Sequence, residues 1–212
     1  YPWRGRITVD PAPGRIGTPD KTSSGPAELA NFIGTADVSD FTQNTNAVLY
    51  HGPAEWSLRR MVLHYAHLCA VAGGVDSFLI GSELKNLTTI RDENDNYPFV
   101  NALSDLASDI KTILGESCKI TYAADWSEYF GHQPADGSGD VYFHLDPLWA
   151  STDIDAVGID CYWPLSDWRS GNDHLDANQY RSIYDLEYLQ GNITAAEGFD
   201  WYYASEEDRQ NQ

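Results

Sequence analysis

A short apolar stretch at residues 77–84, SFLIGSEL, is the most informative part of the chain because it stops abruptly at Ser82 and Glu83. A run of this length with apolar residues on both faces predicts a strand of a parallel sheet that helices cover. Acidic side chains at the carboxyl ends of such strands lie in the loops that form the active face of an α/β domain. Glu83 is therefore the first candidate for a catalytic acid.

Amphipathic helices are predicted on either side of this strand. Between residues 55 and 72 apolar side chains recur on one face at helical spacing, and Gly73 and Gly74 supply a stop. A second apolar stripe runs through residues 100–114, and Gly115 follows it. The strand is thus expected to lie between two helices in a β/α arrangement.

Further strands and a helix continue the alternation. Residues 119–124, KITYAA, and residues 154–162, IDAVGIDCY, predict strands, and a helix from about Gln179 to Ala195 follows. Alternation of this kind favours right-handed crossovers and a parallel sheet. The predicted fold class is α/β, a (β/α)8 TIM-barrel-like architecture. Because a closed barrel takes about 250 residues and the clear strands are few, we expect an incomplete barrel.

The 212-residue chain is expected to form a single TIM-barrel-like domain fragment. Residues 1–54 would be a loop-rich first segment and residues 55–212 the β/α units. Residues 1 to about 27 are rich in Pro, Gly, Thr and Ser, which predicts an irregular loop with one possible strand at Arg6–Val9.

The charge of the chain limits its partners. Thirty-two acidic against thirteen basic side chains give a formal charge of −19, and no basic cluster interrupts it, so nucleic acid is not expected as a partner. No apolar stretch approaches the roughly 18 residues that a membrane span needs, and the first residues lack the order of a secretory signal. The three cysteines are expected to be free thiols rather than a disulfide framework.

Carboxylates and aromatic residues gather at the predicted strand ends. Glycoside hydrolysis needs two carboxyl groups that flank the scissile bond, and sugar rings pack on Trp and Tyr. We therefore expect Glu83 to be catalytic and its neighbours at the strand ends to bind substrate. Those neighbours are Ser82, Asp125, Trp126, Glu128, Asp160, Tyr162 and Trp163.

Structural roles compete with these assignments. Asp125 and Asp160 could instead cap a following loop or helix by accepting backbone N–H bonds, and the tryptophans could pack in the core. No metal site and no cofactor is expected: residues 92–96, DENDN, begin like a calcium loop, but Tyr97 replaces the required Gly and Leu103 the bidentate Glu.

Four stretches carry a family resemblance: residues 2–8 (PWRGRIT), 78–84 (FLIGSEL), 122–133 (YAADWSEYFGHQ) and 200–205 (DWYYAS). They resemble the TIM-barrel-like domain of the gene transfer agent tail protein, the hub or host-specificity component at the tip of phage-like particles. The resemblance implies a barrel similar to retaining glycoside hydrolases, with the acid/base at the end of the fourth strand and the nucleophile at the end of the seventh.

Glu83 matches the acid/base position of those hydrolases, and the nucleophile would lie beyond Gln212. Ser82 stands where they usually place an Asn that binds the sugar 2-hydroxyl. The resemblance further implies polysaccharide or peptidoglycan as substrate, other tail and baseplate proteins as partners, and a place at the tail tip of a particle. The protein would be made in the bacterial cytoplasm, with no signal peptide in this chain.

Two other hypotheses stay open. One is a catalytically inactive baseplate or host-recognition module, since fold does not imply function. The other is an inverting enzyme complete within this chain, which would pair Glu83 with Asp125 or Asp160 at a carboxyl separation of about 6.5–9.5 Å.

Overall fold

The structure, a computed structural model, describes residues 3–162, 166, 168–193 and 205–211. Strands in these ranges are β1 (Phe41–Gln43), β2 (Val48–Tyr50), β3 (Ser77–Ser82), β4 (Lys119–Asp125) and β5 (Gly158–Asp160). The helices are α1 (Gly25–Ile33), α2 (Leu58–Val71), α3 (Lys85–Thr88), α4 (Pro98–Leu114), α5 (Trp126–Tyr129), α6 (Asp146–Trp149), α7 (Leu175–Gln179), α8 (Leu186–Ile193) and α9 (Glu206–Asn211).

A parallel sheet in the order β3-β4-β5 is the centre of the fold, and β1 and β2 form a separate antiparallel hairpin. The predicted α/β class and the parallel sheet are confirmed. The described strands leave this sheet open, so they do not form a closed barrel. Asp125 is the register partner of Asp160, which places the ends of β4 and β5 side by side.

Helix α4 covers one face of this sheet and also contacts α2. Pro98 stands in its first turn, where a missing N–H costs nothing, and Gly115 ends it with φ +82°. Its Leu106 and Ile110 are buried in one core with residues of β3 and β4 such as Tyr122. Replacing Leu106 by Ala would cost about 2–5 kcal/mol, because the cavity could close only in part.

Helix α2 begins three residues later than the predicted residue 55 and ends before the two predicted stop glycines. The Ser57 hydroxyl caps its amino end by accepting the Arg60 N–H at 3.2 Å. Gly73 and Gly74 follow with φ +104° and +94°, a conformation that glycine adopts without steric cost. The helices predicted at residues 55–72 and 100–114 are thereby confirmed.

The third strand is shorter than the predicted range 154–162. The Asp155 carboxylate accepts the Ile120 N–H at 2.8 Å, a donor that a strand carbonyl would otherwise take. Lys111 and Lys119 hold the same carboxylate, at 2.8 and 3.0 Å. Ladder pairing with β4 therefore covers only β5, at residues 158–160.

Two other boundary predictions were wrong. The possible strand at Arg6–Val9 is absent from this described segment, and Arg4–Arg6 forms a 3-10 turn closed by Ile7 N–H to the Arg4 carbonyl. Residues 1–54 also hold helix α1 and the β1–β2 hairpin, and the loop-rich character of this segment stays a prediction. Helix α7 ends at Gln179, and the helix predicted to start at about this residue begins only at Leu186, as α8; Ala195 lies outside the described residues.

The chain divides into two compact units, Tyr1–Asp160 and Cys161–Gln212, and each is described by itself. The first unit holds both sheets and helices α1 to α6, and the second holds α7, α8 and α9. The single-domain organisation stays a prediction. Among the described residues, none of the helices has the length and apolar character needed to cross a bilayer.

Candidate functional site

Glu83 follows β3 in a left-handed backbone conformation, with φ +53°. Such a conformation in a residue other than glycine costs about 1–3 kcal/mol, so the surrounding structure has to hold it in place. The Glu83 N–H donates to the Ala123 carbonyl of β4 at 2.8 Å, which fixes the corner to the sheet. Glu83 is 8% exposed, so its carboxylate lies just beneath the surface.

The amino-terminal segment covers the Glu83 carboxylate. Trp3 Nε1 donates to Oε2 at 2.7 Å, and Arg4 Nε lies 3.7 Å from the same oxygen. The other oxygen, Oε1, accepts no hydrogen bond from the described residues. Gly5 is required here, because a Cβ at that position would overlap the Trp3 indole. Trp3 and Arg4 therefore orient the carboxylate and leave one oxygen for another partner.

Ser82 and Asp160 come together at the same edge of the sheet. Ser82 Oγ donates to Asp160 Oδ2 at 2.5 Å, across the end of β4. Asp125 stands beside Asp160 in the β4–β5 register. The structure thus collects Ser82, Asp125 and Asp160 at one edge, as the sequence predicted for parallel strand ends.

Asp125 caps helix α5, which was the structural alternative for this residue. Its Oδ1 accepts the Ser127 N–H at 3.0 Å and also the Ser127 hydroxyl. Glu128 completes the capping box by accepting the Asp125 N–H at 3.1 Å. The capping role of Asp125 is confirmed, and its substrate-binding role stays a prediction.

Glu128 is the most enclosed carboxylate of the set, with 1% exposure. Tyr122 OH lies 3.1 Å from both of its oxygens, and Thr88 Oγ1 donates to Oε1. Burial raises the pKa of Glu128 to about 7, against the lowering effect of these hydrogen bonds. Burial likewise lowers the pKa of His144, which contacts the same Thr88, to about 4. Between about pH 4 and pH 7, Glu128 is therefore protonated and His144 is uncharged, so both groups are neutral.

Exposed aromatic side chains follow β4. Trp126 is 53% exposed, and its ring meets that of Phe130 edge-to-face at 6.2 Å. Tyr129 packs against Phe130 in turn. Tyr162 is 89% exposed in the second unit, and Trp163 lies outside the described residues. Trp126 is therefore the predicted aromatic residue that the structure places beside the carboxylate edge.

Two cavities adjoin helix α5 and share Glu128, Phe130 and Gly131 in their walls. We call the larger one, of about 520 Å³, the Lys85 cavity. Its polar lining residues include Thr8, Lys85, Asn86, Thr89, Ser127 and His132. The smaller cavity, of about 310 Å³, is lined by His144 and Trp149 among others. Sugar-sized ligands are compatible with spaces of this volume.

The described residues contain no group of three or more His, Cys, Asp or Glu side chains placed to hold a metal ion. In the loop at residues 92–96, the Asp92 carboxylate accepts the N–H groups of Asn94 and Asn96, so it closes a turn of its own. His67 is buried and stacks on Phe41 at 4.9 Å, which is a packing role.

The fold and this edge define an α/β domain with carboxylates and aromatic residues at the carboxyl ends of its parallel strands. A family model described as the GTA TIM-barrel-like domain matches residues 56–212. The chain belongs to this family and is a gene transfer agent-associated module. A comparison with curated proteins found no match.

Several residues of the site were not predicted from the sequence. Trp3 and Arg4 lie in the PWRGRIT stretch that contributed to the resemblance, but nothing in that stretch indicated contact with Glu83. Lys85 follows the strand end directly, and a basic residue so close to the catalytic candidate was a usable signal. Thr88 and Tyr122 reach Glu128 through tertiary packing, which local sequence patterns do not show.

Proposed function

We propose that this domain binds a bacterial cell-surface or cell-wall polysaccharide at the carboxyl edge of the β3-β4-β5 sheet and hydrolyses its glycosidic bonds with Glu83 as general acid/base. The observation that carries the proposal is the backbone of Glu83. A strained, nearly buried glutamate at a strand end is costly for folding, and strain of this kind is concentrated at functional sites.

The surroundings of Glu83 suit a general acid/base. Trp3 and Arg4 act on one carboxylate oxygen, so the other can face a glycosidic oxygen. Hydrolysis needs a second carboxyl group, which a retaining enzyme places about 5–5.5 Å from the first and an inverting enzyme about 6.5–9.5 Å from it. In this proposal Ser82, Asp125 and Asp160 position the sugar.

The exposed aromatic residues supply the binding surface. A sugar ring presents apolar C–H faces, and Trp126 with its neighbour Phe130 offers aromatic faces beside the carboxylate edge. Glu128 lies behind these residues and lines both adjoining cavities. In this proposal Trp126 contacts substrate directly and Glu128 shapes the pocket floor.

The test is hydrolysis by the whole protein that carries this sequence. E83Q keeps the shape of the side chain but can neither donate nor accept the proton that catalysis needs. Release of reducing ends from peptidoglycan and from capsular polysaccharide should fall about 100-fold or more, with polysaccharide binding retained. E93Q is the matched control, because Glu93 is an exposed residue of the 92–96 loop. Full activity of E83Q would refute the catalytic role.

An inactive baseplate or host-recognition module is the second candidate. It is favoured by the hydrogen bonds of three carboxylates: Asp125 caps α5, Glu128 is enclosed, and Asp160 accepts the Ser82 hydroxyl. This candidate predicts that wild-type protein releases no reducing ends, while E83Q particles transfer genes at the wild-type frequency. Both candidates place the domain at the tail tip among other tail and baseplate proteins, which immunogold labelling of particles would test.

A further inference from the structure

Lys85 is unusual among the lysines of this acidic chain. The sequence has four lysines, and three of them form ion pairs: Lys21 with Asp95, and Lys111 and Lys119 with Asp155. No carboxylate of the described residues lies within 4.0 Å of Lys85 Nζ. In a chain with a formal charge of −19, an ammonium group without an acidic partner is a notable exception.

The ammonium group of Lys85 retains hydrogen-bonding capacity. It donates to Ser127 Oγ at 2.7 Å, and both residues line the Lys85 cavity. An ammonium has three N–H donors, and the described residues accept from it only once. Two donors are therefore left for a ligand or solvent.

Carboxylates near the cavity do not pair with the ammonium group of Lys85. The Ser127 hydroxyl, which accepts from Lys85 Nζ, donates in turn to the Asp125 carboxylate. The oxygens of Glu128 are engaged by Tyr122, Thr88 and the Asp125 N–H, and burial raises the pKa of Glu128 to about 7. His132, on the cavity wall, is held towards its neutral form, because burial lowers its pKa. Among the residues that line this cavity, Lys85 is thus the one lysine or arginine.

We propose that the Lys85 cavity binds a carboxylate-bearing sugar residue, with Lys85 as the donor to the carboxylate. This inference rests on the proposed function and names the substrate class for that site. A chain of this charge repels an acidic polysaccharide at long range, so recognition requires a local cation. The carboxylate could belong to a uronic acid residue of a capsular polysaccharide or to the lactyl group of muramic acid in peptidoglycan strands that have lost their stem peptides.

The first experiment uses the wild-type protein and two matched pairs of ligands. Isothermal titration calorimetry would compare a uronic acid oligosaccharide with its carboxyl-reduced counterpart, and a muramic acid-containing disaccharide with its lactyl amide. We expect the carboxylate form of one pair to bind about 10-fold tighter or more, because hydrogen bonds between ionised groups are the stronger kind. This preference should shrink as NaCl is raised from low to high concentration.

The second experiment changes the lysine. K85M keeps much of the length of the side chain and removes its charge, so the carboxylate preference should disappear, whereas K85R should retain part of it. K21M is the control, since Lys21 pairs with Asp95 and is not among the residues that line the cavity. Thermal unfolding of each variant would show that it is folded. If K85M does not fold, the comparison of acidic and neutral ligands on the wild-type protein still tests the inference.

The outcomes separate the two proposals. A preference for one acidic ligand that depends on Lys85 supports the inference and identifies the source of the carboxylate. Equal binding of acidic and neutral ligands overturns the inference while glycan binding stands. A preference that K85M leaves intact, in folded protein, also overturns it. If none of the four ligands binds, the inference is overturned, and the hydrolysis assay alone then tests the proposed function.

Discussion

Ser82 Oγ donates a 2.5 Å hydrogen bond to Asp160 Oδ2, which joins the ends of β3 and β5 over the end of β4. These residues are 78 positions apart in the chain, and this bond gathers the polar groups at the edge of the sheet. A hydroxyl that donates to a carboxylate makes a stronger bond than one between neutral groups.

We expect Ser82 and Asp160 to be energetically coupled. In a double-mutant cycle of S82A and D160N, the coupling should be about 1–2 kcal/mol, because S82A removes the bond and D160N removes the charge that strengthens it. Urea unfolding of the four proteins measures it. S104A with D160N is the control cycle, since Ser104 Oγ donates to the Val100 carbonyl within α4. Additive effects in the Ser82 cycle would contradict the bond.

Trp3 should stabilise the fold through Glu83. W3F removes the indole N–H that donates to Glu83 Oε2, and we expect the free energy of unfolding to fall by about 1–2 kcal/mol. W56F should change it far less, because Trp56 is 93% exposed. G5A should resemble W3F, since a methyl group at Gly5 displaces the indole. Equal unfolding midpoints for W3F and wild type would argue against this contact.

Glu128 should make stability depend on pH. Its pKa is raised from 4.5 to about 7 in the folded protein, so between these values the folded state binds more protons than the unfolded state. Stability therefore falls as pH rises through this range, by an amount on the order of 3 kcal/mol. E128Q lacks this dependence.

The measurement is urea unfolding of wild type and E128Q at several pH values between 4 and 8. His144 has the opposite effect: its lowered pKa of about 4 makes stability rise with pH up to the ordinary histidine range. His144 is present in both proteins, so its contribution cancels in the difference between them. A difference that does not change with pH would show that Glu128 titrates normally.

Trp126 should contribute to polysaccharide affinity without supporting the fold. W126A removes a half-exposed ring beside the carboxylate edge, so the dissociation constant should rise about fivefold to tenfold while the unfolding midpoint changes little. W56A is the control, because Trp56 is also exposed but contacts Arg60 and is not among the predicted site residues. The same loss of affinity in both variants would indicate a nonspecific effect.

The helices and strands that local sequence signals define could be predicted from the sequence alone. Helices α2 and α4 follow from apolar spacing and from the glycines that end them, and β3 and β4 from short apolar runs. Their burial against one another is the direct result of that pattern, as Leu106 in α4 and Ile120 in β4 illustrate. The convergence of Ser82 with Asp160 also followed, because parallel strands end at one edge.

The features that the sequence did not predict depend on contacts between residues far apart in the chain. Trp3 reaches Glu83 across 80 positions, and no periodicity reports such a contact. The extent of β5 depended on the Asp155 side chain, which competes for a backbone donor of β4. Helix α1 lies in a Pro- and Gly-rich part of the chain, where composition favoured loop, yet Leu29 is almost fully buried. In each case tertiary packing outweighed the local preference.

The left-handed backbone at Glu83 sets thermal stability against the proposed activity when this domain is engineered. Glycine is the easiest residue to accommodate at φ +53°, and asparagine is tolerated better than most. A screen for thermostable variants would therefore select substitutions of Glu83 by glycine or asparagine. Such variants would gain stability but lose Glu83, the proposed general acid/base.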